Sequence, residues 1–187
     1  MATHKPVHVD ELFGELTLSE GTAKWYVVHT KPQCEKKLVD YLKHNRIWYY
    51  LALYDSERVY QHRKVLFTKP LFPGYVFVRC ELLDRFIVLN CGFVVRFIKV
   101  SNQQELLDDL NWIYQGRLKQ AEFVQAEWLE QGWQVEIING PMKGMMGVVE
   151  SQSKLSEVTL QVNILRQSVK VKVNPADVRI MYEYYGH

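Results

Sequence analysis

The sequence predicts an α+β protein with two domains: an antiparallel sheet flanked by helices, followed by a small five-stranded β-barrel. Two patterns indicate this class. Between residues 24 and 116, β-type runs and helical stretches follow the order β-α-β-β-α-β, which is typical of a layered α+β domain. Between residues 132 and 182, five short β-type runs are separated by Gly, Pro, Asn and Ser turns, as in a small barrel.

Composition excludes several functional classes. Hydrophobic residues make up 48% of the 187 residues and charged residues 24%, which is typical of a globular protein. No apolar run approaches the roughly 18 residues that cross a membrane, and the N-terminus lacks an export signal, so we expect a cytoplasmic protein with no membrane contact. The three cysteines have no metal-ligand spacing, so neither a disulfide framework nor a metal or other cofactor is predicted. A net charge of only +2 limits nucleic-acid contact to one local face.

The N-terminal domain, residues 24–116, begins after an arm at residues 1–23, which we expect to be either loose or a short helix over Asp10 to Leu16. Aromatic and β-branched residues predict a strand at Trp25 to His29. Apolar side chains at helical spacing predict a helix from Gln33 to Asn45. The same reasoning predicts the remaining elements: a strand at Trp48–Tyr54, a hairpin over Arg58–Lys69, a strand from Tyr75, a helix at Asp84–Leu89, a strand at Phe93–Val100 and a helix at Asn102–Tyr114.

Residues 117–131 are rich in Gln, Glu and Lys and predict a linker, with room for a short helix from Ala121 to Trp128. The barrel follows at residues 132–182, with a tail at residues 183–187. The predicted barrel strands are Gln134–Ile138, Met146–Ser151, Glu157–Ile164, Gln167–Val173 and Val178–Tyr182.

A glycine-rich turn joins the first two barrel strands. Asn139-Gly140-Pro141 supplies the backbone conformations of a tight turn, and Gly144 and Gly147 allow the chain to bend at a barrel corner. No Lys-Ser or Lys-Thr follows, so a nucleotide-binding loop is not predicted. The stretch from Val135 to Val149 resembles a KOW motif, which is found in NusG-type factors and in some ribosomal proteins.

A second motif combines the strand at Trp25 with the segment from Pro70 to Val78. Pro73-Gly74 predicts a turn, after which alternation places Tyr75 and Phe77 on one face of the strand. One face must fill the core; the other either binds a foreign helix or is also internal. This motif resembles the NGN domain of NusG-type factors, and with the KOW motif the resemblance covers residues 24 to about 182.

The resemblance to NusG-type transcription elongation factors implies a function. In that family the NGN domain binds the clamp helices of RNA polymerase through aromatic residues and suppresses pausing or termination. By motif position, the implied polymerase contacts are Phe72, Tyr75, Phe77 and Tyr26. A factor that binds the closed clamp better than the open clamp shifts polymerase toward the closed state.

The predicted helix after Pro32 carries a basic face, which is either an ordinary solvated surface or a contact for non-template or upstream DNA. Lysines would neutralise phosphates, and Tyr41 or His44 would stack on an unpaired base. The candidate nucleic-acid contacts are Lys31, Lys36, Lys37, Tyr41, His44 and Asn45.

The segment from Asn90 to Phe97 lacks the longer loop usual in housekeeping members, so the chain resembles a specialised, RfaH-like paralogue. In relatives the KOW domain binds a ribosomal small-subunit protein or the termination factor Rho. The candidate partner-binding residues here are Met142, Met145, Ile164 and Leu165, and Met146 could belong to the same surface. The alternative is that at least two of these five residues lie in the barrel core. We expect a monomer.

Two rival functional classes make different predictions for this sequence. A ribosome- or RNA-binding KOW protein with a structural role predicts a strongly basic barrel, whereas residues 131–182 are only mildly basic. A hydrolase would need Cys34 and His29 as a nucleophile pair, but a Cys in an apolar stripe and a His at a strand end are more often core residues. We therefore predict a protein without enzymatic activity.

Overall fold

The computed structural model describes residues 8–60, 63–126 and 129–185. It confirms the mixed α+β class: the chain forms two compact units, Met1–Gln103 and Gln104–His187. The boundary therefore lies before the predicted end of the first domain at residue 116.

The first unit contains a five-stranded antiparallel sheet in the order β1-β3-β6-β2-β7 and a separate two-stranded hairpin of β4 and β5. Its elements in chain order are β1 (Leu12–Phe13), β2 (Lys24–Thr30), α1 (Glu35–His44), β3 (Trp48–Tyr50), β4 (Leu53–Tyr60), β5 (Arg63–Pro70), β6 (Tyr75–Cys80), α2 (Leu82–Asn90) and β7 (Val94–Lys99).

One face of this sheet packs against helices α1 and α2. Val76 and Val78 of β6 join Leu38 and Leu42 of α1 and Val88 of α2 in one buried cluster. Fully burying an aliphatic side chain of this size contributes about 1.5–3 kcal/mol relative to leaving it exposed. The alternation predicted for β6 is thus confirmed, with its valines on the helical face.

The N-terminal arm is neither loose nor helical where the structure describes it. β1 pairs with β3, with Leu12 opposite Tyr50. The Leu51 amide donates a hydrogen bond to the Glu11 carbonyl oxygen at 2.8 Å. Leu12 and Phe13 therefore extend the sheet at one edge, while residues 1–7 of the predicted arm lie outside the described residues.

The second unit contains a six-stranded antiparallel sheet in the order β13-β9-β10-β11-β12-β8. Helix α3 (Gln103–Leu118) belongs to this unit from Gln104 onward. The strands are β8 (Phe123–Ala126), β9 (Gln131–Ile137), β10 (Met146–Val149), β11 (Glu157–Val162), β12 (Gln167–Lys172) and β13 (Val178–Tyr185).

The sixth strand, β8, lies in the predicted linker. Phe123 is buried and stands opposite Val171 of β12, so this segment contributes to the core as a strand. The predicted helix over Ala121 to Trp128 is therefore wrong for residues 123–126; residues 127–128 lie outside the described residues. The predicted tail at residues 183–187 also begins as strand, because β13 continues to Tyr185. Residues 186–187 lie outside the described residues.

Candidate functional site

The turn before β6 is tied to two other elements. Gly74 has a φ of +82°, a conformation that glycine adopts without strain. Its carbonyl oxygen accepts a hydrogen bond from the Thr30 amide at 2.8 Å, and its amide donates to Glu35 Oε1 at 2.7 Å. Glu35 is a buried carboxylate at the start of α1. The turn is therefore fixed to β2 and α1, and so is the start of the aromatic strand.

Tyr75 is the first residue of β6 and stands directly opposite His29 of β2. The two rings stack with centroids 5.2 Å apart and planes 23° from parallel. Both residues are partly exposed. This pair is a pre-positioned aromatic surface, because each ring restricts the other and the turn fixes the backbone beneath them.

Phe72 and Phe77, in contrast, lie in the core. Their exposed fractions are 2% and 0%. The Phe77 ring meets Phe72 edge to face at 6.1 Å and stacks on Tyr50 at 6.2 Å. The expectation that both rings contact a foreign helix therefore needs correction, because in this structure both are core side chains with almost no exposed surface.

Tyr26 lies on the opposite face of the sheet. It stands across from Val78, whereas Tyr75 and Phe77 alternate with the valines. Its ring meets Phe97 at 5.6 Å, and the Arg85 guanidinium of α2 lies 5.0 Å from its centroid. Tyr26 therefore does not share a surface with Tyr75, and the four predicted polymerase contacts reduce to Tyr75.

The basic residues of α1 fall on two sides of the helix. Lys36 points to the hairpin, where its ammonium group donates to the Thr68 carbonyl oxygen at 2.7 Å and to Thr68 Oγ1 at 2.9 Å. Partial burial lowers the pKa of Lys36. Lys43, on the same side, pairs with Asp10. Lys36 thus holds the hairpin, and it is a poorer phosphate contact than the sequence suggested.

The other side of α1 carries Lys37, Tyr41 and His44, at i, i+4 and i+7. Lys37 and His44 are exposed and Tyr41 is partly exposed. The His44 Nδ1 lies 2.7 Å from the Asp40 carbonyl oxygen. Asn45 caps the helix end by donating to the Tyr41 carbonyl oxygen at 2.8 Å. Lys31 is exposed just before the helix, so Lys31 and Lys37 remain the accessible cations of this candidate set.

The candidate partner surface of the second unit is partly internal. Met142 and Met145 are buried, which favours the barrel-core alternative for these two. A side chain at Gly116 of α3 would lie 2.7 Å from the Met142 Cε atom, so Met142 packs closely against α3. Ile164 and Leu165 are half-buried in a short 3-10 turn, and they remain available to a partner.

Sequence reasoning missed two links between α3 and turns of the six-stranded sheet in the second unit. The Lys119 ammonium donates to the Pro141 carbonyl oxygen at 2.9 Å, and Asn163 Nδ2 donates to Glu105 Oε1 at 2.6 Å. Near the first link, a cavity of about 370 Å³ opens between the end of α3 and the KOW-like turn. Its lining residues include Lys119, Glu122, Asn139, Met142, Lys172, Asn174 and Asp177.

One carboxyl group of α3 has a strongly shifted pKa. Burial, reinforced by the negative charges of Glu105 and Asp108, raises the pKa of Asp109 to about 7. Within the described ranges, no group of three or more His, Cys, Asp or Glu residues could hold a metal ion. No described helix is long and apolar enough to cross a membrane.

Comparison with protein families matches residues 23–110 to the family described as "Transcription termination factor nusG". No curated protein matches the sequence. Among solved structures, NusG of Thermotoga maritima, from a study of its domain interaction, is 22% identical; the match covers 84% of this chain and 96% of that one, with a TM-score of 0.47. An MjSpt4:Spt5 complex in its conformation A is also similar, at 22% identity over 87% of this chain and 99% of that one, with a TM-score of 0.28.

Proposed function

We propose that the chain, whose residues 23–110 match the NusG family model, is a NusG-type transcription elongation and antitermination factor that binds RNA polymerase through the surface around Tyr75. The observation that carries this proposal is the Tyr75–His29 stack, which is partly exposed and fixed by the Gly74 turn. A rigid aromatic anchor loses little conformational entropy on binding, and aromatic residues dominate the energetic hot spots of protein interfaces.

The proposed polymerase partner is the pair of clamp helices. A helix that lies across the first unit would place apolar side chains against the flat, stacked rings of Tyr75 and His29. Suppression of pausing or termination follows if this contact is stronger when the clamp is closed, since only differential binding shifts the clamp equilibrium.

The basic side of α1 is proposed to contact the non-template or upstream DNA beside the polymerase. Lys31 and Lys37 are exposed cations, and Tyr41 and His44 supply rings beside Lys37 along the same side of the helix. An exposed lysine that neutralises one phosphate adds to affinity in a salt-dependent way, while a ring can stack on an unpaired base.

The second unit is proposed to recruit a further partner, either a ribosomal small-subunit protein or Rho. Its candidate residues are Ile164 and Leu165, which are half-buried in the short 3-10 turn between β11 and β12. No catalytic step is assigned to either unit.

Retention of RNA polymerase by the full chain tests the main contact. We expect immobilised wild-type protein to retain polymerase and Tyr75→Ala to lower the affinity at least tenfold, as for an interface hot spot of about 1.4 kcal/mol or more. The matched control is Tyr182→Ala, because Tyr182 is an exposed tyrosine of the second unit. Circular dichroism checks that both variants are folded.

Two outcomes of that experiment count against the proposal. If wild type retains no polymerase, the family role does not extend to this chain. If wild type and Tyr75→Ala retain polymerase equally, the contact lies elsewhere and the Tyr75–His29 stack has only a structural role.

The DNA contact has its own test. Affinity of the full chain for an elongation complex is measured at several salt concentrations for wild type, Lys37→Ala and Lys154→Ala. Loss of one phosphate contact should lower the slope of log K against log salt by about 0.7–0.9 for Lys37→Ala. Lys154, which is exposed and paired with Glu150 in the second unit, serves as the control, and an equal effect of both substitutions contradicts the assignment.

A further inference from the structure

Helix α2 exposes its apolar side. Leu82, Leu83, Phe86, Ile87 and Leu89 are exposed by 69, 76, 60, 39 and 45%, whereas Val88 of the same helix is completely buried. At about 100° per residue, the five exposed side chains span an arc of roughly 160°, and Val88 lies on the opposite side. Helices at a protein surface normally turn polar residues outward, so this arrangement is inverted. We call these five side chains the α2 patch.

The charged residues of α2 lie away from the α2 patch. The Arg85 guanidinium lies over the Tyr26 and Phe97 rings of the sheet, at 5.0 and 5.1 Å. Asp84 accepts a hydrogen bond from the Glu81 amide at 3.0 Å, in a capping box that closes the start of the helix. No charged residue of α2 therefore lies within the arc of the patch, and its one polar residue is Asn90 at the end of the helix.

The area of the α2 patch suggests an occupant. Scaled by these exposed fractions, the five side chains present on the order of 500 Å² of surface, within the roughly 300–600 Å² range of the largest apolar patches on monomers. Two such patches facing each other would bury about 1,000 Å² in total, which is near the lower limit for a specific interface. A second copy of the chain supplies the matching apolar surface without any further partner.

From this arrangement we infer that the α2 patch is a self-association surface, on which α2 of a second copy packs in a two-fold symmetric dimer. A two-fold interface uses the same surface on both copies, so an uncharged patch brings no like charges together. Two helices in contact lie about 8–10 Å apart, which lets Leu83 and Phe86 of each copy interdigitate with those of the other. The proposed dimer replaces the monomer expected from the sequence. The dimer proposal does not depend on the proposed polymerase contact at Tyr75.

The dimer is expected to be weak, with a dissociation constant on the order of 10 µM, because its area is at the small end of the stable range. Sedimentation velocity of the full chain between roughly 5 and 500 µM brackets that constant. We expect the wild-type mass to rise from monomer toward dimer over this range. Leu83→Glu places a charge in the patch and should weaken the dimer at least tenfold.

A matched control and a rescue sharpen the test. Leu118, at the end of α3, is 60% exposed on a helix of the other unit, so Leu118→Glu adds the same charge and should leave association unchanged. An equimolar mixture of Leu83→Glu and Leu83→Lys should associate more tightly than either variant alone, because opposite charges then face each other across the interface.

Three results would overturn the inference. The first is a wild-type chain that stays monomeric throughout the concentration range, which would leave the patch to an unrelated protein. The second is a dimer that Leu83→Glu and Leu118→Glu weaken equally. The third is a mixture of the two Leu83 variants that associates no better than its components. Circular dichroism confirms folding in each case, and Leu83 is exposed enough that its substitution should not unfold the protein.

Discussion

The aromatic strand β6 and helix α2 are neighbours in the sequence, yet they treat their apolar side chains in opposite ways. Phe77 in the strand is fully buried, while Phe86 in the helix is 60% exposed. β6 is the middle strand of its sheet and is paired on both sides, whereas α2 lies on one face of the sheet and packs through Val88. The apolar composition of a segment therefore does not by itself determine whether its side chains are buried. The position of the strand or helix in the fold decides whether other parts of this chain cover them.

One substitution in each region tests this difference, and it gives the largest effect on the free energy of unfolding that we expect. Phe77→Ala removes a fully buried ring and leaves a cavity, so we expect a loss of about 3–5 kcal/mol in the free energy of unfolding. Phe86→Ala removes the same atoms from an exposed position and should change that free energy by less than about 0.5 kcal/mol. Urea denaturation at a concentration below the expected dimer constant measures both. Equal losses would mean that the outward side of α2 is covered within the monomer.

Local patterns in the sequence were sufficient for much of the fold. Alternation predicted that Val76 and Val78 share a face, and helical spacing predicted α1 from Leu38 and Leu42; both are confirmed. The missed elements, β1 and β8, are strands of two and four residues. Such short strands are stabilised by pairing with a distant partner, as Leu12 pairs with Tyr50, and this long-range contact leaves no periodic signal.

The site was predicted less completely, for reasons of geometry. Alternation places Tyr75 and Phe77 on the same face, but it does not tell that Phe77 is covered by Tyr50 and Phe72 while Tyr75 stays partly exposed. Tyr26 could be assigned to the opposite face only from its register with Val78. The apolar run of α2 was visible in the sequence: with Val88 on one side of the helix and Leu83 on the other, one face of a sheet cannot bury both.

A smaller effect on the free energy of unfolding is expected from substitutions in the two turns that border these regions. Gly74 precedes β6 and Gly92 follows α2, with φ values of +82° and +81°. An alanine at either position pays the strain of a left-handed conformation, so we expect each substitution to lower the free energy of unfolding by about 1–2 kcal/mol.

Steric contacts of the added methyl group should not make one of these two variants less stable than the other. The added methyl of Gly74→Ala would lie 3.6 Å from His29 Cδ2, an ordinary contact, and that of Gly92→Ala would meet nothing within 4 Å. Urea denaturation should therefore give losses that agree within about 0.5 kcal/mol. A clearly larger loss for Gly74→Ala would show that the Gly74 amide shifts away from Glu35, and the aromatic surface would then depend on that hydrogen bond as well as on the backbone conformation. A larger loss for Gly92→Ala would instead mean that the end of α2 is under a constraint that its open surroundings do not reveal.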